Sequence, residues 1–183
     1  MKNTLLKIYR KWKAFFARQN DTVFYRIRDV RSSDQMCLLQ CLNKSDVFYM
    51  SIIEIAENQK ILYHLPSIQA CYVGIEYGRV LRESGNHQKK QAIIHHRLRS
   101  VGKYKLLSEN RKGHICFFDK NTGEELTCDP RHIAASASLI REFSSSEAFH
   151  IGLLAGWKMY GPEKADGNVI YNRSHVPYLW LVE

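Results

Sequence analysis

Residues 65–78, LPSIQACYVGIEYG, run in parallel with residues 143–156, FSSSEAFHIGLLAG, at an offset of 78 residues. The offset continues without a gap back to Met36 and His114. Along it Asn43 meets Asn121, Ile55 meets Ile133 and Ala56 meets Ala134. Ser67, Ala70, Gly74 and Gly78 meet Ser145, Ala148, Gly152 and Gly156. A chain that writes one apolar pattern twice is expected to build one unit twice, so the repeat constrains architecture before any element is assigned.

Each copy has the same plan. Residues 23–30, 36–42 and 47–53 are rich in residues that suit a pleated surface, with a turn at 32–34 and a hairpin loop at 43–46. A short helix is expected over 54–62 and a longer one from Ser67 to Ser84, stopped by Gly85-Asn86. In the second copy the strands are 103–107, 114–119 and 124–128, with Asn121-Thr122-Gly123 as the stronger hairpin signal. Asp129-Pro130 opens its short helix. Ser144, followed three residues on by Glu147, has the form of a capping box, and this helix is expected to end at Gly161-Pro162. The predicted fold is therefore α+β, a tandem duplicated βββαα unit with pseudo-two-fold symmetry, preceded by a basic amphipathic helix.

Four segments follow: a basic amphipathic helix over 1–20, unit one over 23–84, a basic linker over 85–102, and unit two with C-terminal strands over 103–183. In the first, Leu5, Ile8, Tyr9, Trp12, Phe15 and Phe16 recur at helical spacing. In the last, 169–171 and 177–182 are expected as late strands, because Tyr178, Leu179, Trp180 and Leu181 are too apolar for a free tail.

Glycine inside a helix costs about 1 kcal/mol relative to alanine. Gly74 and Gly78, like Gly152 and Gly156, lie four apart on one helix face. The expected reason is a close crossing of the two long helices, as in small-x-x-x-small pairs.

The net charge of +9 is unevenly spread. Residues 1–31 carry nine Lys/Arg against two acids, and residues 79–113 carry ten against two. A concentrated positive charge is the footprint of a phosphate-rich or anionic partner. The candidate nucleic-acid contacts are Lys7, Arg10, Lys11 and Lys13 on the N-terminal helix, and Lys89, Lys90, Arg97 and Arg99 in the linker. Arg26 and Arg28 on the first strand join them, with Lys103 and Lys105 expected in similar positions in unit two. DNA or RNA is the expected partner. The alternative is an adaptor that engages a partner protein or an anionic membrane surface through Trp12, Phe15 and Phe16.

Other chemistry is weakly signalled. His114, Cys116, Cys128 and His132 are the best metal candidates, yet H-x-C followed by C-x-x-x-H is not a common zinc spacing, and Met36, Leu38, Met50 and Glu54 fill the same columns of the first copy. Neither a metal nor a cofactor is expected. The sequence carries no G-x-S-x-G, phosphate-binding glycine loop or dinucleotide fingerprint, and a non-catalytic regulatory protein is expected. Five cysteines, an odd number, suggest reduced thiols and a cytoplasmic location. No apolar run reaches the roughly 20 residues of a membrane span.

Overall fold

The computed structural model describes residues 24–31, 33–85 and 102–160. The expected N-terminal helix, most of the linker and the late strands lie outside the described residues. Within them the fold is α+β, with two three-stranded antiparallel sheets and six helices.

The first sheet takes the order β1 (Tyr25–Arg31), β2 (Met36–Cys41), β3 (Val47–Ser51). Alternation decides its faces: Ile27, Cys37 and Leu39 are buried, while Arg28, Val47 and Tyr49 point out. The second sheet takes the order β4 (Tyr104–Glu109), β5 (Ile115–Asp119), β6 (Glu125–Cys128), with Ile115 and Phe117 buried.

Each sheet is followed by two short helices where the sequence suggests one. The first of them, α1 (Ile52–Glu57), starts at a capping box between Ser51 and Glu54. It stops at Asn58, whose side chain accepts from the N–H groups of Lys60 and Ile61 and so opens α2 (Gln59–Leu62). In the other half α4 (Pro130–Ala134) is capped by Asp129, and Ser136 opens α5 (Ala137–Ile140). The competing principle is local. Asn and Ser hydrogen-bond their own backbone, which splits a helix that apolar spacing alone would run through.

The long helices are α3 (Ser67–Glu83) and α6 (Ser145–Met159). Ser144 and Glu147 form the expected capping box on α6. Gly85, at φ 68°, takes the left-handed conformation just past α3. The last helical residue of α6 is Met159, two short of the expected glycine.

The two long helices cross at their glycines. A Cβ at Gly74 would overlap the carbonyl oxygen of Phe149, and one at Gly152 the carbonyl oxygen of Cys71. A Cβ at Gly78 would overlap the carbonyl of Leu153, and one at Gly156 that of Ile75. The obstacles are backbone atoms, which cannot swing aside. Each sheet has its own core, but each core borrows from both helices. Phe149, Leu153 and Trp157 of α6 complete the core under the first sheet, and Cys71 and Ile75 of α3 complete that under the second. Burying a large apolar side chain contributes about 1.5–3 kcal/mol, so the borrowed residues weigh heavily in each core.

Candidate functional site

The basic residues of the first strands are placed by sheet register. Arg26 pairs with Gln40, and Lys105 with Phe118. The register then slips between Ile27 and Asp29 in one sheet and between Leu106 and Ser108 in the other, at Arg28 and Leu107. Lys105 thus stands where Arg26 stands, and Leu107 stands where Arg28 does. Lys103 corresponds to Phe24, since each gives its carbonyl to the N–H one residue beyond the second strand, that of Lys120 or of Leu42. The expected match of Lys103 and Lys105 to Arg26 and Arg28 is off by one residue pair, and the bulges are the reason.

These four cations do not make one uniform patch. Arg28 is exposed, and its Nε donates to Gln40 Oε1. Arg26 is half-buried. Lys103 Nζ lies 3.2 Å from Tyr104 Oη and 3.3 Å from Asp119 Oδ2. Hydrogen bonds to Tyr104 and Asp119 push its pKa up. Burial pushes the Asp119 carboxyl up, but the N–H groups of Asn121 and Thr122 and the Lys103 ammonium outweigh it and pull the pKa down. Lys103 is therefore committed to a hairpin turn, and Lys105 is left exposed on the outer face.

The described residues carry fifteen Lys/Arg and fourteen Asp/Glu, a net of +1. The remaining residues hold twelve Lys/Arg and four Asp/Glu, a net of +8, which together restore the +9 of the whole chain. The sheets and helices form a nearly neutral body. Lys7, Arg10, Lys11, Lys13, Lys89, Lys90, Arg97 and Arg99 lie outside the described residues, as do Trp12, Phe15 and Phe16.

A node that sequence reading missed surrounds Asp129. Arg131 donates to it at 3.0 Å and Lys158 at 3.2 Å, and His114 Nε2 lies 4.0 Å away. Burial pushes this carboxyl up, yet the side chain and N–H of Arg131 with Lys158 outweigh it and hold the pKa at about 2. The signal available in sequence was Asp129-Pro130 as a helix start. The distant Lys158 left no trace there.

The metal candidates do not converge. Cys116 pairs with Thr127 on the outer face, whereas Cys128 pairs with Ile115 and packs toward the second core. His114 faces Asp129. Among the described residues no group of three His, Cys, Asp or Glu side chains is placed to share an ion. The thiols of Cys37 and Cys71 are pushed up to about 12 by burial, which makes them poor nucleophiles at neutral pH.

A cavity of 170 Å³ is lined by Val30, Gln35, Ile52, Tyr72, Glu76, Arg79 and Tyr160. It is smaller than the roughly 300 Å³ at which small-molecule sites begin. Its one guanidinium is already engaged, by Glu76 at 2.9 Å and Glu83 at 3.1 Å. Compared with protein-family models, curated proteins and solved structures, the chain matches none.

Proposed function

We propose that this protein is a non-catalytic, nucleic-acid-associated regulator in which a compact body carries cationic segments to a polyanion. One observation carries the reading: the body is almost neutral, while the segments outside it hold +8 of the +9 charges. Segments such as 1–20 and 86–101 place Lys and Arg where they can neutralise phosphates without reshaping the body. Arg28 and Lys105, exposed on the two sheets, extend the same surface. The deeply buried, high-pKa thiols of Cys37 and Cys71 favour a structural over a catalytic role. Five free cysteines fit a reducing, cytoplasmic setting.

The body itself we read as a tandem duplication with pseudo-two-fold symmetry. Its support is reciprocity. Ser67 Oγ donates to the Phe143 carbonyl and Ser145 Oγ to the Leu65 carbonyl. The four glycine contacts are exchanged in the same way, and both sheets carry a bulge at the same step of their first strand.

The test is binding to duplex DNA and to RNA across a salt series. Each phosphate neutralised on duplex DNA contributes a slope of about −0.9 to log affinity against log salt. Alanine at Lys89, Lys90, Arg97 and Arg99 should flatten the slope and weaken all sequences alike. No binding at about 50 mM salt, where screening is weak, refutes the reading. Binding to anionic vesicles or an acidic protein that disappears with Trp12→Ala and Phe16→Ala would put the adaptor role in its place.

A further inference from the structure

The edge of the first sheet is unguarded. Sheets expose four edge strands here, and three carry charge: β1 has Arg26, Arg28, Asp29 and Arg31, β4 has Lys105 and Glu109, and β6 has Glu125. β3 is Val47-Phe48-Tyr49-Met50-Ser51, with no charge and no proline. Among the described residues no strand pairs with its outer edge. Charges and bulges are the usual protection against stray pairing, and a bare apolar edge is a site for another strand. Side-chain exposure agrees. Val47 and Tyr49 on the outer face are 54% and 53% exposed, and Phe48 and Met50, which face the core, are only partly covered.

The geometry points to one occupant: residues 178–182 of this same chain, seated antiparallel along the free edge of β3. The described chain leaves α6 at Tyr160, which shares a cavity wall with Val30, Gln35 and Ile52. Ile52 directly follows β3 and donates its N–H to the carbonyl of Gln35, so the exit lies at the Ser51 end of the strand. A segment running from there toward Val47 is antiparallel to β3. The 17 residues 161–177 reach at most about 56 Å when fully extended, ample to approach an edge about 17 Å long. Tyr178-Leu179-Trp180-Leu181-Val182 matches β3 in length and is apolar at both alternating sets of positions. One set would close over Phe48 and Met50, and the other would lie beside Val47 and Tyr49. Pro177 falls at the first position, where a missing N–H is tolerated.

Hydrogen exchange on the full chain tests this in both directions. In the variant Leu179→Asp/Leu181→Asp, amides of residues 47–51 should exchange at least tenfold faster, with β2 and β5 unchanged. In the variant Val47→Lys/Tyr49→Lys, amides of residues 178–182 should be the ones that speed up. Unchanged exchange of β3 in the tail variant, with β2 and β5 still protected, overturns the proposal. Loss of protection in β2 and β5 makes the reciprocal variant decisive, and unchanged exchange of 178–182 there overturns it equally. β3 protection that grows with protein concentration, together with a doubled mass in solution, assigns the edge to a second copy and also overturns it.

Discussion

Gln69 and Glu147 reach for the same main-chain atom under different sheets. Gln69 Oε1 accepts from Ile27 N at 2.7 Å, and Glu147 Oε1 accepts from Leu106 N at 2.9 Å. Both N–H groups stand at the step where the register slips, so a buried side chain on each long helix supplies the partner there. Their second polar atoms differ. Gln69 Nε2 donates to Ile27 O, while Glu147 Oε2 accepts from Ser144 N and Ser144 Oγ.

That difference predicts an asymmetric pair of variants. Gln69→Glu sets a carboxylate oxygen against a carbonyl oxygen, and Glu147→Gln sets an NH₂ against the Ser144 N–H. Each should cost about 1–3 kcal/mol, the range for a buried group left without its partner. Gln69→Glu should recover as pH falls below the ordinary glutamate pKa of about 4.3, because the protonated acid can again donate to Ile27 O. Urea titrations at two pH values read both effects. An equal loss for Gln69→Glu at both would refute this account.

Alanine at the crossing glycines is the second prediction. On helix propensity alone, Gly74→Ala and Gly152→Ala should each gain about 1 kcal/mol. Their Cβ atoms would instead meet the carbonyls of Phe149 and Cys71. Overpacking costs about 1–3 kcal/mol even where side chains can adjust, so the net change should be destabilising. A raised melting temperature for either variant would mean that the helices do not approach this closely.

Asp129 sets an acid limit. Its folded-state pKa, about 2, lies below the ordinary value of about 3.9 for an unfolded aspartate. The stability this residue contributes is therefore fully present above pH 4 and is lost as pH falls from about 4 through 2. Asp129→Asn should flatten the stability profile across that window and lower stability at neutral pH, where Arg131 and Lys158 lose their counter-charge. Superimposable profiles for wild type and variant would contradict it.

Thiol labelling gives a fourth prediction. Burial and a pKa of about 12 should keep Cys37 and Cys71 unlabelled in the native protein at about pH 8, with both reacting on unfolding. Half-exposed Cys116 should label first. Rapid native labelling of Cys71 would show that the helix crossing opens.

The repeat made much of this architecture legible. The strands, the long helices and the glycine crossing follow from columns 78 residues apart. Local polar chemistry was harder to read. Asn58 and Ser136 each split a helix, since a side chain that caps also interrupts. Bulges at Arg28 and Leu107 moved Lys103 out of its expected place, because a one-residue slip changes which side chains share a face. Asp129, Arg131 and Lys158 meet only through the fold. The candidate basic contacts were legible as composition, and their separation from the neutral body needed coordinates.

The borrowing of side chains between cores also sets an order of events during synthesis. Trp157 lies 74 residues beyond the end of α3, yet it packs in the core under the first sheet. At roughly 5–20 residues per second, that core waits about 4–15 s for its last large side chain after α3 has been made. Until then the bare glycine face of α3 and the seats of Phe149, Leu153 and Trp157 stand open on the nascent chain. The first half cannot mature by itself, and the whole body becomes native in one late, cooperative closure.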